Sequence, residues 1–179
     1  MTFANQLTLI RLVAIVPVMA ALYIQFPGNR TVATVVYVAA ILTDYLDGIL
    51  ARRSGKVTAF GKLMDSVADK AIISSMFFAL VAEGSMPAWM AAIMVVREFA
   101  VTGLRMVALE TGEVIAANRW GKAKMNSQSL AILILLLGYS QVGYWAMLIA
   151  TILTLLSGWS YLKDTPRILA ATAGEDRKL

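Results

Sequence analysis

Cysteine and histidine are both absent from the 179-residue chain. Without cysteine there is neither a disulfide framework nor a zinc–thiolate site. Without histidine the chain lacks the usual general base and the commonest ligand of transition metals. Any acid–base or metal chemistry must therefore come from carboxylates, lysine or tyrosine.

Charged residues are also scarce. They make up 15% of the chain, while 59% is hydrophobic, compared with about 25% and about 45–50% in soluble domains. This composition predicts an integral membrane protein. The formal net charge is +5, and the basic residues lie in short segments between apolar runs. We interpret them as loop charge that attracts anionic membrane lipid, and we expect no nucleic-acid partner.

The apolar runs predict an all-α integral membrane fold with six transmembrane helices, in one domain covering residues 1–179. A helix needs about 20 apolar residues to cross a bilayer. The expected spans lie at about Leu7–Phe26, Thr31–Ala51, Thr58–Val81, Pro87–Leu109, Asn118–Gly138 and Tyr144–Leu162. The first run lacks an obvious cleavage site, so we interpret it as a span and not as a signal peptide. Residues 164–179 are expected to form a surface helix or a frayed end.

The connections between the spans alternate in charge. Arg52, Arg53 and Lys56 follow the second span, and further basic residues follow the fourth and sixth spans. The other connections carry one basic residue, Arg30. The positive-inside rule then predicts that both termini and the basic loops are cytoplasmic.

Four aspartates interrupt the second and third spans. Asp44 and Asp47 are three residues apart, and Asp65 and Asp69 are four apart, so each pair shares one helix face. The short connection between the spans makes the two helices antiparallel neighbours. We therefore expect the four carboxylates to meet at similar depth, near the cytoplasmic edge of the hydrocarbon.

A charge at that depth costs at least a few kcal/mol, so the carboxylates need compensation. One explanation is ion pairing with nearby basic residues, namely Arg52, Arg53, Lys62 and Lys70. It does not explain why both helices carry acids on one face. The other explanation is a cation site, since carboxylates without histidine or cysteine suit Mg²⁺ or Mn²⁺, with Ca²⁺ as an alternative. Four carboxylates can hold two ions about 3.5–4 Å apart.

Small residues accompany the aspartates at one-turn spacing: Gly48, Ala51 and Gly61. Glycine within a helix costs stability, so it usually allows something to approach closely. That can be a neighbouring helix or a ligand. Arg52 similarly fits either a topology anchor or a guanidinium that pairs with phosphate.

The spacing D-x-x-D-G-x-x-A-R-x8-G-x-x-x-D-x-x-x-D across residues 44–69 resembles, without departure, the signature of the CDP-alcohol phosphotransferase family. The resemblance implies transfer of a phosphatidyl or similar group from a CDP-linked donor to an alcohol, with release of CMP. It also implies a homodimer in a bacterial inner membrane, with a polar metal-binding cavity at the cytoplasmic side.

The resemblance also assigns residues. It implies two metal ions on Asp44, Asp47, Asp65 and Asp69, with Asp69 also the general base on the acceptor hydroxyl. The opening ANQLTLIRL resembles the family's N-terminal segment near the nucleotide. The implied nucleotide-binding residues are Asn5, Thr8, Asp44, Gly48, Ala51, Arg52 and Gly61.

Basic residues further along the chain suggest the acceptor. Arg97 and Arg105 are eight residues apart, close to two helical turns and thus on one face. With Lys122 and Lys124 they predict a basic pocket for a phosphate-bearing acceptor. Arg97 could instead pair with Glu98 or an aspartate, and the others could be loop charge.

Two segments, REFAVTGLR and GKAKM, resemble the bacterial branch of the family that uses CDP-diacylglycerol and glycerol 3-phosphate. One departure is Met125, where that branch leads us to expect threonine. The alternatives that stay open are another phosphorylated acceptor such as inositol phosphate, cardiolipin synthesis within the same family, a divalent-cation transporter and a purely structural membrane scaffold. A transporter would not need Gly48, Ala51 and Arg52, and would need polar groups in the outer halves of the spans.

Overall fold

A computed structural model of the chain describes residues 3–24, 26–54, 59–110 and 119–175, with side chains for residues 12–24, 26–43, 67–108, 120–161 and 163. These residues form six α-helices: α1 Phe3–Tyr23, α2 Asn29–Ser54, α3 Ala59–Ala82, α4 Ala88–Glu110, α5 Arg119–Leu136 and α6 Ser140–Glu175. The predicted all-α class is confirmed, and each expected span overlaps one helix.

One segment of the described chain, Ser140–Tyr161 in α6, is long and apolar enough on its own to cross a bilayer. Shorter apolar stretches occupy Leu12–Tyr23 and Asn29–Thr43. The crossing of a membrane by all six helices stays a prediction.

The sixth helix is much longer than the expected span. It has 36 residues and continues through most of the segment for which we predicted a surface helix or frayed end. The apolar run stops near Tyr161, but the residues that follow include the strong helix formers of the sequence RILAA. Their high helix propensity explains why the backbone stays helical after the apolar run ends.

Glycines in the left-handed conformation end α3 and α5. Gly84 has φ +77° and Gly138 has φ +87°, a conformation that glycine adopts without steric cost. At each end the next residue donates its N–H back across the turn, Ser85 to the Leu80 carbonyl at 2.9 Å and Tyr139 to the Ile134 carbonyl at 3.2 Å. These bonds satisfy carbonyl groups that a helix end leaves unpaired.

The helices pack around one apolar core. α1 contacts α2 and α3, α3 also contacts α4 and α5, and α6 contacts α4 and α5. The largest fully buried side chains include Tyr37, Phe77, Met90, Ile132 and Met147. Buried alanines, several of them with no exposed surface, allow close approach of the helix backbones.

Three turns meet at one end of the helix bundle. Arg30, in the first turn of α2, donates to the Glu83 carboxylate after α3 at 2.7 Å from Nη2 and 3.0 Å from Nε. A Cβ built on Gly138 would lie 3.6 Å from the Arg30 guanidinium, so the turn between α5 and α6 is adjacent. Arg30 and Glu83 therefore neutralise each other's charge at this end of the bundle.

Large apolar side chains also cover much of the outer surface. Phe99 is 72% exposed, and Val16, Val35 and Leu155 are exposed as well. So many exposed large apolar side chains are typical of a protein with a membrane or interaction surface.

Candidate functional site

A cleft of about 260 Å³ lies among α3, α4, α5 and α6. Its charged lining residues are Asp69, Lys70, Arg97, Glu98, Arg105, Lys122 and Lys124. Five of these side chains are basic and two are acidic, so the described part of the cleft has a surplus of positive charge. Such a cleft attracts anions.

Arg97 projects from the middle of α4 and contacts α6 as well as its neighbour on α4. Its Nη2 donates to the Ser157 hydroxyl at 2.6 Å, and its Nη1 pairs with the neighbouring Glu98 carboxylate at 3.2 Å. Its guanidinium carbon lies 5.5 Å from the centre of the Tyr161 ring. Arg97 therefore forms the ion pair that we considered as an alternative and also lines the cleft.

Arg105 lies two helical turns later on α4 and contacts the same tyrosine. Its Nη2 donates to the Tyr161 hydroxyl at 2.6 Å, and its guanidinium carbon lies 5.2 Å from the ring centre. The Nε atoms of Arg97 and Arg105 are buried, and no partner for either occurs among the described residues. Buried unpaired donors are uncommon and often mark a site that an ion or ligand completes.

Lys124 lies deeper than its place in the sequence suggested. We expected Lys122 and Lys124 to lie near the cytoplasmic surface. Lys122 is exposed, but Lys124 is only 6% exposed because its ammonium group forms an ion pair with Glu98. The same oxygen of Glu98 thus accepts from both Lys124 and Arg97.

Asp69 is half-buried on α3 and lines this cleft. The residue expected to act as the general base and the four residues expected to bind the acceptor phosphate therefore share one cavity. Their grouping is an observation, whereas their roles stay predictions.

Comparison with known proteins identifies the family. A profile of the CDP-alcohol phosphatidyltransferases matches residues 1–156, which is most of the chain. The chain belongs to the CDP-alcohol phosphatidyltransferase family.

Similar proteins in this family come from several bacteria. The chain is 39% identical over 145 residues to the CDP-diacylglycerol–glycerol-3-phosphate 3-phosphatidyltransferase of Bacillus subtilis, covering 75% of this chain and 74% of the relative. It is 32% identical over 167 residues to the protein of the same name from Rickettsia bellii, covering 89% of this chain and 92% of the relative. These relatives are enzymes of a membrane-associated family.

Most of the CDP-alcohol phosphatidyltransferase signature lies in helical segments whose side chains are outside the described residues. This holds for the predicted metal ligands and nucleotide-binding residues Asn5, Thr8, Asp44, Asp47, Gly48, Ala51, Arg52, Gly61 and Asp65. The backbones of α1, α2 and α3 are helical through these positions. Among the described side chains no group of three acidic residues could hold a metal ion. Of the four aspartates, Asp69 is the one whose side chain the structure describes. The two-ion site stays a prediction.

Sequence reasoning missed the contribution of α6 to the cleft. Ser157 and Tyr161 are both buried and contact the two arginines, but they lie in the segment that is apolar and long enough to cross a bilayer. A signal is nevertheless present, because Thr151, Thr154, Ser157 and Tyr161 recur at helical spacing along one face. Thr154 accepts a 3.0 Å hydrogen bond from the buried Gln128 of α5. This polar face of α6 therefore makes hydrogen bonds to α5 as well as to the arginines of α4.

Proposed function

We propose that the chain is a phosphatidylglycerophosphate synthase. It transfers the phosphatidyl group of CDP-diacylglycerol to glycerol 3-phosphate and releases CMP. The observation that carries this proposal is the common cleft of Asp69 with Arg97, Arg105, Lys122 and Lys124. The printed names of the bacterial relatives support the same reaction.

The basic side of the cleft suits the acceptor. Glycerol 3-phosphate carries a dianionic phosphate, which guanidinium groups bind through charge-assisted hydrogen bonds. Arg97 and Arg105 would bind this phosphate, with Lys122 and Lys124 supplying additional positive charge. A neutral or cationic alcohol such as serine or choline would gain nothing from this surplus of positive charge.

The acidic residues suit two divalent cations. The donor set of Asp44, Asp47, Asp65 and Asp69 consists of carboxylates, which Mg²⁺ and Mn²⁺ prefer. When bound, the ions would offset the charge of the diphosphate and of the departing CMP. Asn5, Thr8, Gly48, Ala51, Arg52 and Gly61 would accommodate the cytidine diphosphate part of the donor.

Asp69 would prepare the acceptor for attack. Its carboxylate takes the proton of the acceptor hydroxyl while the hydroxyl oxygen forms a bond to the β-phosphorus of CDP-diacylglycerol. The bond between that phosphorus and the bridging oxygen breaks, and CMP leaves with the bonding electrons. The position of Asp69 beside the basic residues fits this role, because the phosphate of the acceptor and its hydroxyl are only a few bonds apart.

The charge distribution supports a defined orientation in the bacterial inner membrane. The cleft end of the bundle carries the basic residues, whereas Arg30 at the other end is paired with Glu83. This asymmetry agrees with a cytoplasmic site and cytoplasmic termini on six spans. Exposed aromatic residues, among them Tyr23, Trp89 and Trp145 near one end and Trp120 and Trp159 nearer the other, fit the two interfacial belts of a membrane protein. We also propose a homodimer.

The test is CMP release by the purified protein in detergent micelles containing CDP-diacylglycerol. We expect turnover that requires glycerol 3-phosphate and is lost with a chelator. Added Mg²⁺ or Mn²⁺ should restore it, whereas added Na⁺ should not. A panel with inositol phosphate, serine and choline defines the acceptor. Turnover with inositol phosphate and none with glycerol 3-phosphate would refute the acceptor assignment, and full turnover after chelation would refute the metal site.

A further inference from the structure

One tyrosine contacts both arginines of the cleft. The Tyr161 side chain is 3% exposed, and its ring centre lies 5.5 Å from the guanidinium carbon of Arg97 and 5.2 Å from that of Arg105. Both distances are within the range of cation–π attraction. The Tyr161 hydroxyl also accepts the 2.6 Å hydrogen bond from Arg105.

The preceding turn of α6 holds the other arginine. Ser157 is fully buried and accepts the 2.6 Å hydrogen bond from Arg97. A Cβ built on Gly158 would lie only 3.2 Å from the Cγ of Arg97, so the glycine lets the arginine side chain pass close to the helix. Ser157, Gly158 and Tyr161 therefore form one continuous surface on which the two arginines lie.

This surface offsets two energetic costs of placing two arginines in one cleft. Two guanidinium groups on one face of α4 repel each other, and long side chains lose rotamer freedom when they are held in place. An aromatic ring in contact with both cations attracts each of them, and the two hydroxyl groups fix one nitrogen of each. The separation and direction of the guanidinium groups are then set before a phosphate arrives, which lowers the cost of binding it.

We propose that Tyr161, together with Ser157, is a positioning residue that sets the geometry of Arg97 and Arg105 for the phosphate of the acceptor. This inference rests on the proposed function, in which the two arginines bind glycerol 3-phosphate. Tyr161 acts through the arginines and does not itself react.

The experiment compares steady-state kinetics of Tyr161→Phe, Tyr161→Leu and Ser157→Ala with the unchanged protein. Tyr161→Phe keeps the ring and removes the hydroxyl, and should raise the KM for glycerol 3-phosphate about tenfold, as expected for one hydrogen bond to a charged group. Tyr161→Leu also removes the ring and should raise this KM further. The KM for CDP-diacylglycerol should stay within about twofold in all three variants, since the donor contacts lie on other helices.

The matched control is Thr151→Val. Thr151 is buried on the same helix, and its hydroxyl donates to the carbonyl of Met147, so this change removes a buried hydroxyl without touching either arginine. We expect both KM values to be unchanged. A purely structural role of Tyr161 would instead lower the unfolding temperature and affect donor and acceptor alike.

A double variant tests whether Tyr161 acts through Arg105. Since Tyr161→Phe removes only the hydroxyl bonded to Arg105, Arg105→Ala combined with Tyr161→Phe should have the same acceptor KM as Arg105→Ala alone. Additive increases would overturn the inference, as would an unchanged acceptor KM in Tyr161→Leu. If Tyr161→Leu does not fold, Tyr161→Phe and Ser157→Ala decide the question by the same criterion. Absence of glycerol 3-phosphate-dependent turnover in the unchanged protein would refute the proposed function instead, so the two failures are distinguishable.

Discussion

Lys124 of α5 forms an ion pair with Glu98 of α4, and both side chains are largely buried, with 7% and 17% of their surfaces exposed. A second ion pair, between Arg30 and Glu83, lies at the opposite end of the bundle with 37% and 24% exposed. In each ion pair, a glutamate carboxylate accepts a hydrogen bond from a basic side chain on another helix.

Neutralising these two glutamates should have unequal effects on stability. Glu98→Gln leaves the buried Lys124 ammonium without its counter-charge, and should lower the free energy of unfolding by about 3 kcal/mol, the low end for breaking a buried pair. Glu83→Gln removes a solvent-exposed pair and should cost about 1 kcal/mol or less. Thermal unfolding of both variants in detergent measures the difference. Equal shifts would mean that Glu98 does not stabilise Lys124.

Asp69→Asn should abolish turnover while the protein stays folded. The amide has nearly the shape of the carboxylate but cannot take a proton from the acceptor hydroxyl, and loss of a general base typically costs at least about 100-fold in rate. The measurement is CMP release, with Glu83→Gln as a control for loss of an acidic residue far from the cleft. Activity close to that of the unchanged protein would exclude Asp69 as the base.

Arg105→Ala should weaken acceptor binding selectively. Loss of one charge-assisted contact to the phosphate should raise the KM for glycerol 3-phosphate about 10- to 100-fold, with little change in the KM for CDP-diacylglycerol. Arg30→Ala removes an arginine at the opposite end of the bundle and should change neither value. Equal increases for donor and acceptor would show that Arg105 does not contact the acceptor.

Replacing each of two helical glycines with alanine should change the stability of the protein in opposite directions. A Cβ on Gly143 of α6 would lie 2.3 Å from Cδ2 of the buried Leu135, so Gly143→Ala should destabilise the protein by about 1–3 kcal/mol through overpacking. Gly103 of α4 has open space around a Cβ, and Gly103→Ala should stabilise it by about 0.4–1 kcal/mol by restricting the unfolded chain. Unfolding temperatures that fall and rise respectively would confirm the packing of α5 against α6. A tolerated Gly143→Ala would contradict it.

Long apolar runs made the helices predictable from the sequence, since each expected span overlaps one helix. The grouping of Arg97 and Arg105 was also predictable, because their eight-residue separation puts both on one helix face. The burial of Lys124 was not, since a lysine near the start of α5 has the same local pattern whether it faces water or turns toward Glu98. Tyr161 was missed because it contacts Arg105 and Arg97, 56 and 64 positions earlier. The helical spacing of the polar residues on α6 marks a polar face but does not say which residues that face contacts.

The length of α6 has a consequence for where the substrates meet. At about 1.5 Å per residue the apolar segment Ser140–Tyr161 covers about 33 Å, close to the roughly 30 Å of bilayer hydrocarbon. Tyr161 lies at the end of this segment, and the helix continues to Glu175, so a bilayer spanned by this segment would leave the rest of the helix outside the hydrocarbon. The arginine pair held by Tyr161 would then lie at the depth of the lipid headgroups. At this depth a water-soluble acceptor could bind while still partly hydrated. A lipid donor could present its diphosphate at the same depth while its acyl chains remain in the bilayer.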